Sequence, residues 1–158
     1  MMTNARSAYN KKSSLCELLY QIRPTFLILT ETWERENHSL DKLLNSRVYK
    51  SISYLRKNRS PGGGCAIIYQ NNNQVKFRQA DIIVPENIEA VWATCSLLDT
   101  HSHMKVKRIA ICSVYISPRS RFKKETVEHI ILSIHQLRAQ YNNDINFCIG
   151  GDFNKCDQ

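Results

Sequence analysis

Phe26-Leu-Ile-Leu-Thr30 is an uncharged, largely apolar run, with Pro24 just before it and Glu31 directly after. A strand that alternates apolar and polar residues can rest one face on water. A continuously apolar one needs cover on both faces, which places it inside a layered α/β fold. Cys65-Ala-Ile-Ile-Tyr69 and Ile145-Asn-Phe-Cys-Ile149 read the same way. Ahead of the first run, Leu15, Leu18, Leu19 and Ile22 fall on one face of a helix that Pro24 ends. Ser14 and Glu17 have the spacing of a capping box at its start.

The remaining chain fills in this frame. Residues 34–45 are polar and suit a loop or short helix, and 48–55 read as a strand with basic residues around it. Ser60-Pro-Gly-Gly-Gly64 is a turn cluster, Asn71-Asn-Asn73 reads as a hairpin tip, and 74–84 as its returning strand. Residues 88–98 and 106–116 are rich in Val, Ile, Trp and Tyr and predict two more strands. Residues 122–141 predict a second long helix with Val127, Ile130, Ile131, Ile134, Leu137 and Tyr141 as its apolar stripe. At 158 residues the expectation is one domain over 1–158, with no internal repeat. No apolar run is long enough to cross a membrane as a helix.

Charge and cysteine usage narrow the partners. The chain carries 22 Lys+Arg against 14 Asp+Glu, a formal +8, which favours a polyanion such as nucleic acid. Arg47, Lys50, Arg56, Lys57 and Arg59 form a run without an acid, readable as a phosphate track or a solvated face. Among the six cysteines no Cys-x-x-Cys pair occurs. Cys65, Cys95, Cys112 and Cys148 sit in apolar runs, as small hydrophobes do, and free thiols imply a reducing compartment, nuclear or cytoplasmic. Cys156 lies close to the last motif. His101 and His103 read as loop, and His129 and His135 on the second helix lack metal spacing. Trp33 and Trp92 read as packing residues.

Two acids follow apolar strands directly: Glu31 after Phe26-Leu-Ile-Leu-Thr30, and Asp152 after Ile145-Asn-Phe-Cys-Ile149 and two glycines. Ligand sites in α/β sheets gather at the C-terminal ends of strands. Mg²⁺ prefers carboxylate oxygen and needs only one or two carboxylates beside substrate phosphate. Either acid alone is most simply a cap or a solvated loop residue; the pair tilts toward a site. Asn154 lies two residues beyond Asp152, so in extended geometry both side chains point the same way, although an Asx-type turn after Gly150-Gly151 explains them equally well.

Four segments in order, Asn4-Ala-Arg-Ser7, Leu29-Thr-Glu-Thr-Trp33, Val114-Tyr-Ile-Ser-Pro118 and Gly150-Gly-Asp-Phe-Asn154, resemble the endonuclease/exonuclease/phosphatase superfamily. Gly62-Gly-Gly-Cys-Ala-Ile-Ile68 and Ile88-Glu-Ala90 are similar to its usual neighbours. The finer pattern is similar to the apurinic-type endonuclease domain of non-LTR retrotransposons. The resemblance implies a four-layer α/β sandwich of two mixed β-sheets flanked by helices (DNase I-like), incomplete at the C-terminus. It implies a Mg²⁺-dependent DNA-nicking phosphodiesterase, with Mn²⁺ as a substitute ion. It assigns Glu31 and Asn4 to the metal, Asp152 to the attacking water, Asn154 to the scissile phosphate and nucleophile, and Tyr115 to a phosphate oxygen. Arg119, just past Tyr115, would meet the phosphate backbone. The family's closing Asp and Ser-Asp-His-type motif do not occur after Asn154, and none of the five histidines follows it. The expectation is therefore a monomer with exposed sheet edges and little or no activity by itself. A phosphatase or lipid phosphodiesterase of the same fold, and a non-catalytic nucleic-acid binder, are the alternatives.

Overall fold

The protein is described by a computed structural model that covers residues 1–35, 38–55, 62–72, 75–98 and 106–154. The elements run β1 (Met2–Asn4), α1 (Lys12–Ile22), β2 (Phe26–Thr30), α2 (Leu40–Leu43), β3 (Tyr49–Tyr54), β4 (Cys65–Gln70), β5 (Val75–Gln79), β6 (Glu89–Leu98), β7 (Val106–Tyr115), α3 (Lys123–Gln140) and β8 (Asn146–Asp152). They form two four-stranded sheets, ordered β1-β2-β4-β3 and β5-β6-β7-β8. Both are mixed: β1 with β2 and β7 with β8 are parallel, and the other pairs are antiparallel.

The apolar runs are continuous because each strand face has its own cover. In β2, Leu27 and Leu29 pack with Leu15 and Leu19 of α1 and with Leu40 and Leu43 of α2. Ile28, on the other face, packs between the sheets with Ile67, Val91, Ala93 and Ile111. On the far side Ala90, Trp92, Ala110, Cys112 and Val114 meet Ile130 and Leu137 of α3. The order helix, sheet, sheet, helix is the four-layer sandwich that the sequence implies. Its two sheets are also tied by a buried hydrogen bond, in which Ser113 Oγ donates to Leu29 O at 2.9 Å.

Several local expectations are corrected. Helix α1 begins at Lys12, so Ser14 and Glu17 lie inside it and cap nothing; Glu17 accepts instead from Gln21 Nε2, 3.0 Å away. The helix does stop before Pro24, with Arg23 in the left-handed region and its N–H on Leu19 O. Ile22 is exposed, beyond the covered stripe. The segment after β4 is not a hairpin tip. Strands β4 and β5 belong to different sheets, so the Asn-rich segment crosses between layers, and β5 ends at Gln79 rather than running to Val84. Of that segment, Asn73 lies outside the described residues. On α3 the covered face is Thr126, Ile130, Ser133 and Leu137, while Val127 and Ile131 face solvent. Ile130, Ile134, Leu137 and Tyr141 of the expected stripe do pack on the core, and Thr126 and Ser133 join them because their hydroxyls are satisfied inside the helix by Phe122 O and His129 O. Strand β8 is half-buried along most of its length, since β7 pairs with only one of its sides.

Candidate active site

The C-terminal ends of β1, β2 and β8 meet at one rim. Asn4 ends β1, Glu31 follows β2 and Asp152 ends β8. One nitrogen joins them: Asn4 Nδ2 donates to Glu31 Oε1 at 3.0 Å and to Asp152 Oδ2 at 3.1 Å. Asn4 Oδ1 in turn accepts from the Arg6 amide at 3.1 Å, which fixes the orientation of the side chain. Two carboxylates, one from each sheet, are thus held around a single amide.

Backbone geometry aims these groups. Glu31 and Trp33 have φ of 52° and 55°, in the left-handed region. A side chain there costs about 1 kcal/mol or more, so the turn persists only if neighbours hold it. They do so on both sides. Ser7 and Ala8 amides donate to Glu31 O and Thr32 O, while Thr32 and Trp33 amides donate to Gly64 O and Gly63 O.

At β8 the two glycines serve close approach. A Cβ on Gly151 would collide with the Val114 carbonyl, and one on Gly150 would lie 3.0 Å from Ile28 Cδ1. Asn154 departs from the extended expectation. The strand ends at Asp152, and Asn154 has φ of 42°. Its amide N–H donates to Asp152 Oδ1 at 3.0 Å, and its Nδ2 donates to Ile116 O at 2.7 Å. This is the Asx-type turn, and it serves the site by orienting the Asp152 carboxylate from the side opposite Asn4.

Tyr115 ends β7, pairs with Asp152 in register, and packs its ring into the cluster between the sheets. It is both the core-edge aromatic and the neighbour of the site. Arg119 lies on the exposed turn beyond β7, and among the described residues it makes no hydrogen bond or ion pair with Asn4, Glu31 or Asp152. Lys50 pairs with Tyr69 at the end of the first sheet away from Glu31, so it does not line this rim. Arg56, Lys57, Arg59, His101, His103 and Cys156 lie outside the described residues. Trp92 is buried as expected, but Trp33 is 39% exposed beside the rim, so it is not a core residue. Burial raises the thiols of Cys65 and Cys112 far above their ordinary value and that of Cys95 to about 11, which leaves them inert. His129 is lowered by burial and lies on α3, away from these strand ends.

The donor set fits a hard divalent ion. It consists of the Glu31 and Asp152 carboxylates, with no thiolate or imidazole beside them; Asn4 turns its nitrogen to the two acids and its Oδ1 to the Arg6 amide. Among the described residues no group of three His, Cys, Asp or Glu forms a cage. Two carboxylates are enough for a hard divalent ion that keeps several of its waters.

Sequence reading missed one acid here. Glu34 is buried, its Oε1 accepting from the Leu40 amide at 2.6 Å. Burial raises its carboxyl above the ordinary range, against the opposing pull of the Leu40 amide and the Ser53 hydroxyl. A raised folded-state value means that stability is greatest with Glu34 protonated and falls as pH rises through that value. Glu34→Gln, which cannot ionise, should therefore match the wild type in acid and become relatively more stable toward neutral pH. Paired thermal melts from pH 4 to 8 check this, and a difference that shrinks with pH refutes it.

Two mixed sheets packed between helices, with carboxylates converging at the strand ends, define a DNase I-like sandwich with a rim site suited to a divalent ion. The chain belongs to the Endonuclease/Exonuclease/phosphatase family, whose sequence pattern it matches over residues 3–156. No curated protein sequence matches it significantly. Among solved structures it resembles the human Nocturnin catalytic domain with bound sulfate, at TM-score 0.60 and 18% identity over 92% of this chain and 56% of that one. It also resembles the 3′ phosphatase NExo from Neisseria bound to a product DNA hairpin, at TM-score 0.57 and 14% identity over 97% and 56%. A third is the endonuclease domain of TRAS1, a telomere-specific non-LTR retrotransposon, at TM-score 0.59 and 12% identity over 96% and 56%. The chain thus spans about half the length of these structures, and at such identities they speak to the fold.

Proposed function

We propose that this rim is the metal-binding half of a Mg²⁺-dependent phosphodiesterase site that nicks DNA. The observation that carries the reading is the single Asn4 nitrogen shared by Glu31 and Asp152, which brings acids from two sheets to one point. The +8 charge favours a polyanionic substrate over a neutral one. A fold shared with TRAS1 and with the DNA-bound NExo is in keeping with that choice.

Hydrolysis forms a bond from a water oxygen to phosphorus and breaks the bond to the leaving oxygen, while negative charge grows on the phosphoryl oxygens. Asp152, held on both sides by Asn4 and Asn154, keeps lone pairs with which to take the proton of that water. Asn154 donates its Nδ2 to Ile116 O, and its Oδ1 would accept from the same water. Tyr115 would donate toward a phosphoryl oxygen from the adjacent strand position. Glu31, with Asn4 beside it, would hold the ion, and a bound divalent ion would stabilise the charge growing on the phosphate.

The test is relaxation of supercoiled plasmid by the 158-residue chain. The expected result is nicking that requires Mg²⁺ or Mn²⁺ and disappears in EDTA and in Glu31→Ala. Nicking that is indifferent to Glu31 would refute the assignment. DNA binding that survives EDTA and Glu31→Ala but collapses with salt, without any nicking, would point to the non-catalytic binder. Phosphate release from a 3′-phosphorylated end without nicking would point to the phosphatase.

A further inference from the structure

Gly62, Gly63 and Gly64 have φ of 89°, 73° and 84°, three successive residues in a region that only glycine enters freely. Such a segment has many conformations open to it, yet here it lies in one place against Thr32 and Trp33. A Cβ on Gly64 would stand 2.6 Å from Thr32 Oγ1, and one on Gly62 would stand 3.8 Å from Trp33 Nε1. The loop continues the β2–β4 ladder past Thr30 and Cys65, and its carbonyls take the Thr32 and Trp33 amides. Glu31 stands between the end of that ladder and those two bonds. Its left-handed turn therefore depends on the loop keeping its place.

One side chain from the other sheet fixes the loop. Glu89 Oε2 accepts from the Gly64 amide at 2.6 Å. Glu89 is the first residue of β6, and it pairs with Tyr115, which pairs with Asp152. Residues paired in register share a face of the sheet, so Glu89, Tyr115 and Asp152 form one row across it. The strut that steadies the Glu31 turn thus stands on the row that carries Asp152.

We infer that Glu89 is a positioning residue of the rim, whose carboxylate pins the triple-glycine loop and thereby holds Glu31 in line with Asp152. This rests on the reading of Glu31 and Asp152 as a divalent-ion site. Without the pin, the Thr32 and Trp33 amides lose fixed partners, and the Glu31 backbone relaxes toward the ordinary right-handed region, turning its side chain away. What the loop needs from position 89 is an acceptor oxygen, and a neutral amide supplies one.

The test measures Mn²⁺ affinity of the full chain by water-proton relaxation in wild type, Glu31→Ala, Glu89→Ala and Glu89→Gln, with folding checked by circular dichroism. Supporting groups around metal ligands typically contribute about 10- to 100-fold to affinity. The expected result is a loss of about tenfold or more in Glu89→Ala and near-complete retention in Glu89→Gln. Glu89→Ala binding Mn²⁺ as well as wild type, or Glu89→Gln failing as badly as Glu89→Ala while folded, overturns the inference. Wild type and Glu31→Ala binding alike would instead sink the ion-site reading itself. Should Glu89→Ala not fold, amide hydrogen exchange of the wild type decides. Slow exchange at Gly64 and Trp33, slowed further by Mg²⁺, supports the pin, and exchange at the rate of an open loop overturns it.

Discussion

Gly151→Ala should peel β8 from its sheet. The added methyl would run into the Val114 carbonyl carbon and oxygen and into the Val114 side chain, two of them backbone atoms that a rotamer change cannot move. Relief requires displacement of β8, which pairs with β7 over seven positions from Asn146 to Asp152. Large single-residue losses arise from strain of this kind, and about 4 kcal/mol is a reasonable scale. For a chain of this size that corresponds to a fall in Tm of about 10 °C or more. Gly150→Ala is the internal control. There the contacts are the Ile28 and Met2 side chains, which can shift, so the cost should stay near about 1 kcal/mol. Thermal melts of the two variants check the contrast, and equal melting temperatures would show that β8 does not sit as described.

Glu31→Gln should separate stability from ion binding, with effects of opposite sign. Two carboxylates around one amide nitrogen repel each other in the absence of a cation, by about 1 kcal/mol at an effective dielectric between that of protein and water. The amide variant removes that repulsion while keeping an oxygen for Asn4 Nδ2, so without metal it should melt at or slightly above the wild type. The stabilisation that a bound ion brings, about 2.7 kcal/mol at 100 times its dissociation constant, should vanish from the variant. Melts with and without 10 mM Mg²⁺ read both effects. A variant that gains as much from Mg²⁺ as wild type would place the ion elsewhere.

The layers were legible because burial on two faces leaves a continuous apolar signature, as in Phe26-Leu-Ile-Leu-Thr30. The meeting of two acids at one rim was legible from their places after such strands, and the structure brings Asn4, Glu31, Asp152 and Asn154 together. Pairing between distant strands was less legible. Asn71-Asn-Asn73 has the composition of a tight turn whether the chain returns to the same sheet or crosses to the next. The α3 stripe was legible at Ile130, Ile134, Leu137 and Tyr141 but misplaced at Val127 and Ile131, because Thr126 and Ser133 hide their hydroxyls in bonds within the helix and a hydrophobicity pattern passes over them. The left-handed Glu31 turn had no marker of its own. The signal lay more than thirty residues downstream, in three consecutive glycines whose partner could be identified only once the strands were paired.

Glu31 and Asp152 ride on separate sheets, so the gap between them is set by what fills the sandwich. Ile28, Ile67, Val91 and Ile111 act as shims whose thickness fixes the reach from one acid to the other. If the rim holds the proposed ion, a methyl added or removed there would change its affinity without touching either acid, so the interior sets calibre as well as cohesion.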